Sequence, residues 1–208
     1  MPRIIDITPP IDPSIAVWPG DTPYALRWVA RMDQGASCNV SSITTTPHVG
    51  AHADGPLHFL LDGPAIGNVD LDPYLGRCRV VDVTGVAAVT EDSVFGMDLA
   101  SVKRVLFKTG TFPDPLQWNP DFAYLDPGFV RRLGKLGVRL VGIDTPSVDP
   151  MDSKTLPAHH ALVEMGMRNL EGLDLSRVSP GDYELIALPL RLVDADSSPV
   201  RAVLRTLD

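Results

Sequence analysis

Short apolar runs separated by turn residues dominate this chain, and only three stretches carry helical signals. Residues 3–7 (RIIDI) are apolar and β-branched. Residues 39–46 (NVSSITTT) are β-branched, with Ile43 as the one large apolar side chain. Residues 78–84 (CRVVDVT) and 102–108 (VKRVLFK) alternate or run apolar, and residues 138–143 (VRLVGI) read as a buried strand. Residues 183–192 and 200–207 form a candidate late pair of strands, joined by the polar turn Asp194-Ala-Asp-Ser-Ser-Pro199. Residues 126–137 carry a helix grammar: Asp126 as cap, Pro127 at the first helical position, basic residues late and Gly137 at the close. Residues 90–100 hold a shorter candidate, and residues 159–170 could be helical after Pro157, weakened by Gly166. The expectation is a mixed α/β, strand-dominated single domain over residues 1–208.

Twenty prolines and 17 glycines reinforce that picture of short elements and many turns. The apolar fraction of 44% and charged fraction of 21% are ordinary for a globular protein with a sizeable core. The net charge of −8 disfavours partners such as nucleic acid or an anionic membrane surface. The N-terminus lacks the long apolar run of a signal peptide, and no stretch approaches the roughly 20 apolar residues of a bilayer span. Two cysteines outside any CxxC pair, Cys38 and Cys78, argue for a reduced, cytoplasmic setting, with both thiols expected in or near the core.

The five histidines change the picture most, because all fall in two clusters. The first is His48-Val-Gly-Ala-His52-Ala-Asp54-Gly-Pro-Leu-His58-Phe, the second His159-His160 with Glu164 and Glu171 following. Two imidazoles and a carboxylate within seven residues suit Zn²⁺, and also Mn²⁺ or Fe²⁺. Gly50, Gly55 and Pro56 oppose a helix there. A strand running into a tight loop would put His48, His52 and Asp54 on one side. Asp54 has two oxygens and could bridge two metals, while His58, beyond a Gly-Pro turn, suits proton transfer. The competing readings are turn-capping histidines and a structural zinc site, the latter disfavoured by the lack of cysteine ligands. Glu164 reads as a solvated surface acid.

The HVGAHADGPLHF segment resembles the HxGTHxDxPxH signature of the bacterial cyclase-type metal hydrolases, with Ala51 in place of the usual Thr. Trp18-Pro-Gly-Asp-Thr-Pro23, the run from Cys38 through His48, Gly142-Ile-Asp-Thr-Pro-Ser147, the His159-His160 pair, Leu170-Glu-Gly172 and the segment from Gly181 to Leu190 extend the similarity over nearly the whole chain. Together they look like the kynurenine formamidase branch. The resemblance implies a swivelling β/β/α fold, a homodimer, and two divalent ions per subunit, Zn²⁺ first and Mn²⁺ as the alternative. It also implies hydrolysis of N-formyl-L-kynurenine to L-kynurenine and formate by a metal-activated water. Carried over residue by residue, it makes His48, His52 and Asp54 one ligand group, with Asp54 shared, and His159 and Glu171 the other. The adjacent His160 leaves an ambiguity of one residue; the separation of 12 between His159 and Glu171 matches the family pattern. His58 matches the proton donor/acceptor and Trp18 an aromatic wall of the substrate pocket. The rivals are an isatin-hydrolase-like enzyme opening a cyclic aryl amide and a non-catalytic homologue that binds metal or ligand.

Overall fold

The structure is a computed structural model describing residues 1–207. In chain order the strands are β1 (Ile4–Asp6), β2 (Ala25–Ala30), β3 (Val40–Thr44), β4 (His52–Asp54), β5 (Leu75–Asp82), β6 (Ala88–Val89), β7 (Arg104–Lys108), β8 (Tyr124–Leu125), β9 (Leu140–Ile143), β10 (Arg168–Leu170), β11 (Gly181–Ile186), β12 (Ser197–Pro199) and β13 (Val203–Thr206). Two α-helices, α1 (Pro127–Lys135) and α2 (Pro157–Glu164), and five three-residue 3₁₀ turns complete the regular structure of the described residues. One seven-stranded sheet, in the order β1-β13-β11-β5-β7-β9-β10, organises the fold. Its β5, β7, β9 and β10 run parallel, and the β11, β13 and β1 side is antiparallel.

Strand periodicity divides the core into two layers. Along β7, Val105 and Phe107 face one layer and Leu106 the other; along β9, Val141 and Ile143 oppose Leu140. The first layer receives Phe129, Val130 and Leu133 of α1 and Ala158, Ala161 and Leu162 of α2. Each fully buried Leu, Val or Phe there contributes about 1.5–3 kcal/mol relative to exposure. The second layer packs Ala51 and Ala53, the alanines between and beside the first-cluster histidines, against Leu106, Leu140 and Leu170. Alternation on β4 therefore anchors the alanine side in the core and turns His52 and Asp54 the other way.

The α1 grammar is realised: the Asp126 carboxylate accepts the Phe129 N–H at 2.8 Å and caps the helix. Several expectations are corrected. Residues 90–100 form only a 3₁₀ turn at Asp92–Val94, because Ser93 Oγ bonds back to the Thr90 N–H and Gly96 adopts φ +81°. Residues 159–170 split: α2 stops at Glu164, Gly166 takes φ +65°, and Arg168–Leu170 is strand β10. The late strands β11 and β13 do pair, but the polar segment between them is more than a turn, since Ser197–Pro199 is β12 and pairs with β4. Residues 39–46 yield β3, whose partner β2 went unrecognised; the β2–β3 hairpin stands apart from the large sheet with most of its residues exposed. Cys78 is buried, but Cys38 lies exposed in the hairpin connection, against the expectation of two core thiols.

Candidate metal centre

The candidate residues gather at the C-terminal ends of the parallel strands, the place where open α/β sheets hold ligands. Glu171 follows β10 directly, and its backbone forms an antiparallel bridge with His52. The bridge needs Gly172, whose φ is +64° and where a Cβ would lie 2.2 Å from the Gly50 carbonyl oxygen. His52 and Asp54 share one side of β4, as alternation requires, whereas His48 sits in the turn before it rather than on the strand. His159 is buried in the first turns of α2, while His160 is exposed beside Phe59. Helical spacing of 100° sends adjacent side chains to different faces, and the inward face belongs to His159. Glu164 is exposed and ion-paired with Arg131 at 2.7 Å.

Asp54 is the hub. His48 Nδ1 lies 3.1 Å and His52 Nε2 3.7 Å from its Oδ1, and His159 Nε2 lies 3.4 Å from its Oδ2. Glu171 presents Oε2 to His52 Nε2 at 3.2 Å and Oε1 to His159 Nε2 at 3.3 Å. Two candidate ligand groups result, His48-Asp54-His58 and His52-Asp54-Glu171, with Asp54 common to both. Despite these distances, Asp54 Oδ1 and His52 Nε2, both buried, make no hydrogen bond. They converge without aligning on one another, an arrangement that costs about 1–3 kcal/mol per buried unsatisfied group. A cation removes that cost. Donor atoms about 2.0–2.2 Å from one tetrahedral ion lie roughly 3.3–3.6 Å apart, close to the spacings here. The imidazole and carboxylate donor set therefore fits a divalent metal.

Each candidate ligand histidine has its second nitrogen occupied, the arrangement that orients metal-binding imidazoles. His52 Nδ1 donates to the Gly50 carbonyl at 3.0 Å, His159 Nδ1 to Asp149 Oδ2 at 2.7 Å and His48 Nε2 to Asp196 Oδ2 at 2.9 Å. Burial alone would lower the His48 pKa, but Asp196 and Asp54 outweigh it and raise it to about 10. Burial likewise opposes the charge of Asp54, yet the adjacent His159 and His48 imidazoles hold it well below the carboxylate range; Glu171, opposed by burial and by Asp54, is held at about 2 by His159 and His52. Both carboxylates are thus ionised at neutral pH.

Three supporting residues escaped the sequence reading. Asn169 Nδ2 donates to Asp54 Oδ2 at 2.7 Å and to Glu171 Oε1 at 3.0 Å; its i, i+2 relation to Glu171 along an extended chain was the available signal. Asp149 caps α2 by accepting the Ala158 and His159 N–H groups at 2.9 and 3.1 Å, and its signal was an acid shortly before the Pro157 helix start. Asp196 had no local signal, because only the β12–β4 pairing brings it in.

A cleft of about 570 Å³ opens onto the centre, lined by Trp18, His48, His52, His58, His159 and Glu171 among others. Trp18 is half-buried and braced edge-on by Trp118 and Phe122, with centroids 5.2 and 6.1 Å away. The Asp144 carboxylate, pushed up in pKa by burial, accepts the Thr109 and Gly110 N–H groups and so ties the end of β7 to that of β9 beneath the cleft. His58 keeps 31% of its side chain exposed, with Nδ1 3.2 Å from Asp196 Oδ2.

A strand-dominated α/β sheet with a buried His/Asp/Glu centre at its carboxyl edge defines a metal-hydrolase architecture, and the comparisons place it. Residues 5–150 match the Cyclase family model ("Putative cyclase"), and the chain belongs to that family. The kynurenine formamidase of Delftia acidovorans is 49% identical over 206 residues, covering 99% of this chain and 98% of that one. A predicted metal-dependent hydrolase from Bacillus stearothermophilus superposes with a TM-score of 0.85 at 27% identity, covering both chains fully. Isatin hydrolase A from Ralstonia solanacearum shares the fold, with a TM-score of 0.85 at 18% identity over 99% of this chain and 92% of its own.

Proposed function

We propose that this chain, acting as one hydrolase domain over residues 1–208, is an arylformamidase that hydrolyses N-formyl-L-kynurenine to L-kynurenine and formate. The observation that carries the reading is the pair of buried atoms without a hydrogen-bond partner, Asp54 Oδ1 and His52 Nε2, set beside a cleft walled by Trp18. The 49% identity to a kynurenine formamidase over nearly the full chain supports the substrate. By the family pattern His48, His52 and Asp54 would hold one divalent ion, and Asp54, His159 and Glu171 a second, with Zn²⁺ preferred and Mn²⁺ as the alternative; the distances by themselves group His48 with Asp54 and His58, and His52 with Asp54 and Glu171, and keep His159 Nε2 3.4 Å from Asp54 Oδ2. The chemistry such ions supply is acidification of water and polarisation of the formyl oxygen. Two carboxylates against two divalent ions would leave the centre at about +2, which would favour loss of a proton from the attacking water.

The rest falls to side chains. Water adds its oxygen to the formyl carbon, the C–N bond breaks, and the aryl nitrogen needs a proton. His58, partly exposed and oriented by Asp196, takes a proton from the attacking water and delivers it to that nitrogen. Trp18 stacks on the aryl ring, held by the edges of Trp118 and Phe122. The exposed β2–β3 hairpin, with Val29 and Ile43 61% and 60% exposed, supports a homodimer, since an isolated two-stranded hairpin is marginal in water. No helix among the described residues is long and apolar enough to cross a membrane, and the two free cysteines fit a cytoplasmic setting.

Hydrolysis of N-formyl-L-kynurenine, assayed before chelation, after it and after zinc restoration, tests the proposal. Turnover should be lost and regained. A metal-loaded protein that opens isatin and leaves N-formyl-L-kynurenine intact overturns the substrate in favour of the isatin-hydrolase reading. A metal-loaded protein hydrolysing no aryl amide overturns the enzyme.

A further inference from the structure

We propose that Asp196 is a positioning residue serving two histidines through one carboxylate oxygen, setting His48 as a metal ligand and His58 as a proton acceptor together. The proposal rests on the roles assigned above to those histidines. Asp196 arrives from the far end of the chain because β12 pairs with β4, with Ser197 opposite Asp54. The Gly55 N–H donates to the Asp196 carbonyl at 2.7 Å, and Ser197 Oγ donates to the Ala53 carbonyl at 2.9 Å, so the segment is pinned beside the centre. From there Asp196 Oδ2 lies 2.9 Å from His48 Nε2 and 3.2 Å from His58 Nδ1, and the two rings stand 4.3 Å apart.

An ionised carboxylate only accepts, so both nitrogens facing it carry hydrogen. In neutral imidazoles the opposite nitrogens then hold the lone pairs. For His48 that is Nδ1, the atom 3.1 Å from Asp54 Oδ1 and the one available to a cation. For His58 it is Nε2, left free to accept a proton. The Gly50 carbonyl and Asp149 each orient a single ligand histidine, His52 and His159. Asp196 joins a ligand to the proton carrier, so metal retention and proton transfer depend on the same oxygen.

The test uses full-length protein and Zn²⁺ alone as the first probe. Asp196→Asn should raise the zinc dissociation constant, measured against a competing chelating dye, about 10–100-fold. At saturating zinc, kcat on N-formyl-L-kynurenine should fall at least roughly tenfold with KM little changed, because His58 and not the substrate wall has lost its orientation. If zinc affinity and kcat both stay at wild type, the proposal is overturned. If affinity falls while the zinc-saturated kcat is unaltered, the shared role is overturned. Should the variant fail to fold, ring ¹⁵N NMR of the zinc-loaded wild type decides: His48 should carry its proton on Nε2 and His58 on Nδ1, and the reverse tautomer at either ring sinks the idea. Zinc titration and NMR need no substrate. A wild type that passes both and leaves N-formyl-L-kynurenine intact therefore refutes the substrate assignment separately.

Discussion

Asp54 is fully enclosed and stays ionised because cationic and donor groups surround it: His48, His52 and His159 by charge or contact, and Asn169 by a direct bond. The same coupling makes His48 and His159 hold protons more tightly in the protein alone, and the pH dependence follows. The His48 pKa is raised from 6.5 to about 10, so its contribution to stability is full below 6.5 and is lost as pH rises towards 10. Glu171 and Asp196 are lowered to about 2, so their contributions are full above their ordinary values of 4.5 and 3.8 and vanish as pH falls towards 2. Chelator-treated protein should therefore show its highest Tm between about pH 4.5 and 6.5, declining on the alkaline side. Zinc requires deprotonated imidazoles and should abolish that decline. A chelated Tm that stays level from pH 6.5 to 9 would contradict the His48 coupling. His58→Asn should lower kcat by about 10²–10⁴ with zinc content unchanged; near-normal turnover at full metal load would remove His58 from proton transfer.

At the scale of elements, the site depends on how short pieces are joined. Leu156 adopts the left-handed conformation at φ +43°, and α2 begins at the next residue, with Asp149 bonded to the N–H groups of its first turn and to the His159 ring. One carboxylate thus bonds the first turn of the helix and orients the proposed ligand His159. Asp149→Ala removes three charge-assisted bonds from a buried location and should cost about 2–4 kcal/mol in a urea titration, with weaker zinc binding alongside. Stability loss with zinc affinity unchanged would reduce Asp149 to a helix cap. The four-residue spacing of His48 and His52 also resolves at this scale: the turn at His48 folds back onto β4, so the rings meet at 5.0 Å although only one of them is on the strand.

For the whole molecule, the sheet presents Glu171, Asp144 and Lys108 in sequence from the ends of β10, β9 and β7, and Pro9, Trp18 and Asp196 from outside those strands join them in lining the cleft. The β2–β3 hairpin extends from this body, with Leu26, Trp28, Val29, Val40 and Ile43 exposed. A second copy of the chain is the proposed cover. Sedimentation should find a dimer, and Trp28→Glu combined with Ile43→Glu should yield a monomer, since each buried carboxylate would be unpaired. A monomeric wild type at tens of micromolar, well above ordinary dimer dissociation constants, would refute the homodimer.

The sequence by itself determined what depends on local order. The capped α1, the buried strands β7 and β9, and the His52/Asp54 alternation are set by neighbouring residues, through turn chemistry and side-chain periodicity. The HxxxHxD cluster was legible because its ligand candidates lie within seven residues. Tertiary structure decided the rest. The family spacing favours His159 over His160, but the physical reason is packing, because both are equally helical and only one face of α2 is buried. Strand pairing converted a polar turn into β12 and delivered Asp196 to a centre 142 residues earlier in the chain at Asp54. Contacts at that separation leave no periodicity in the sequence; they exist only once the sheet has closed.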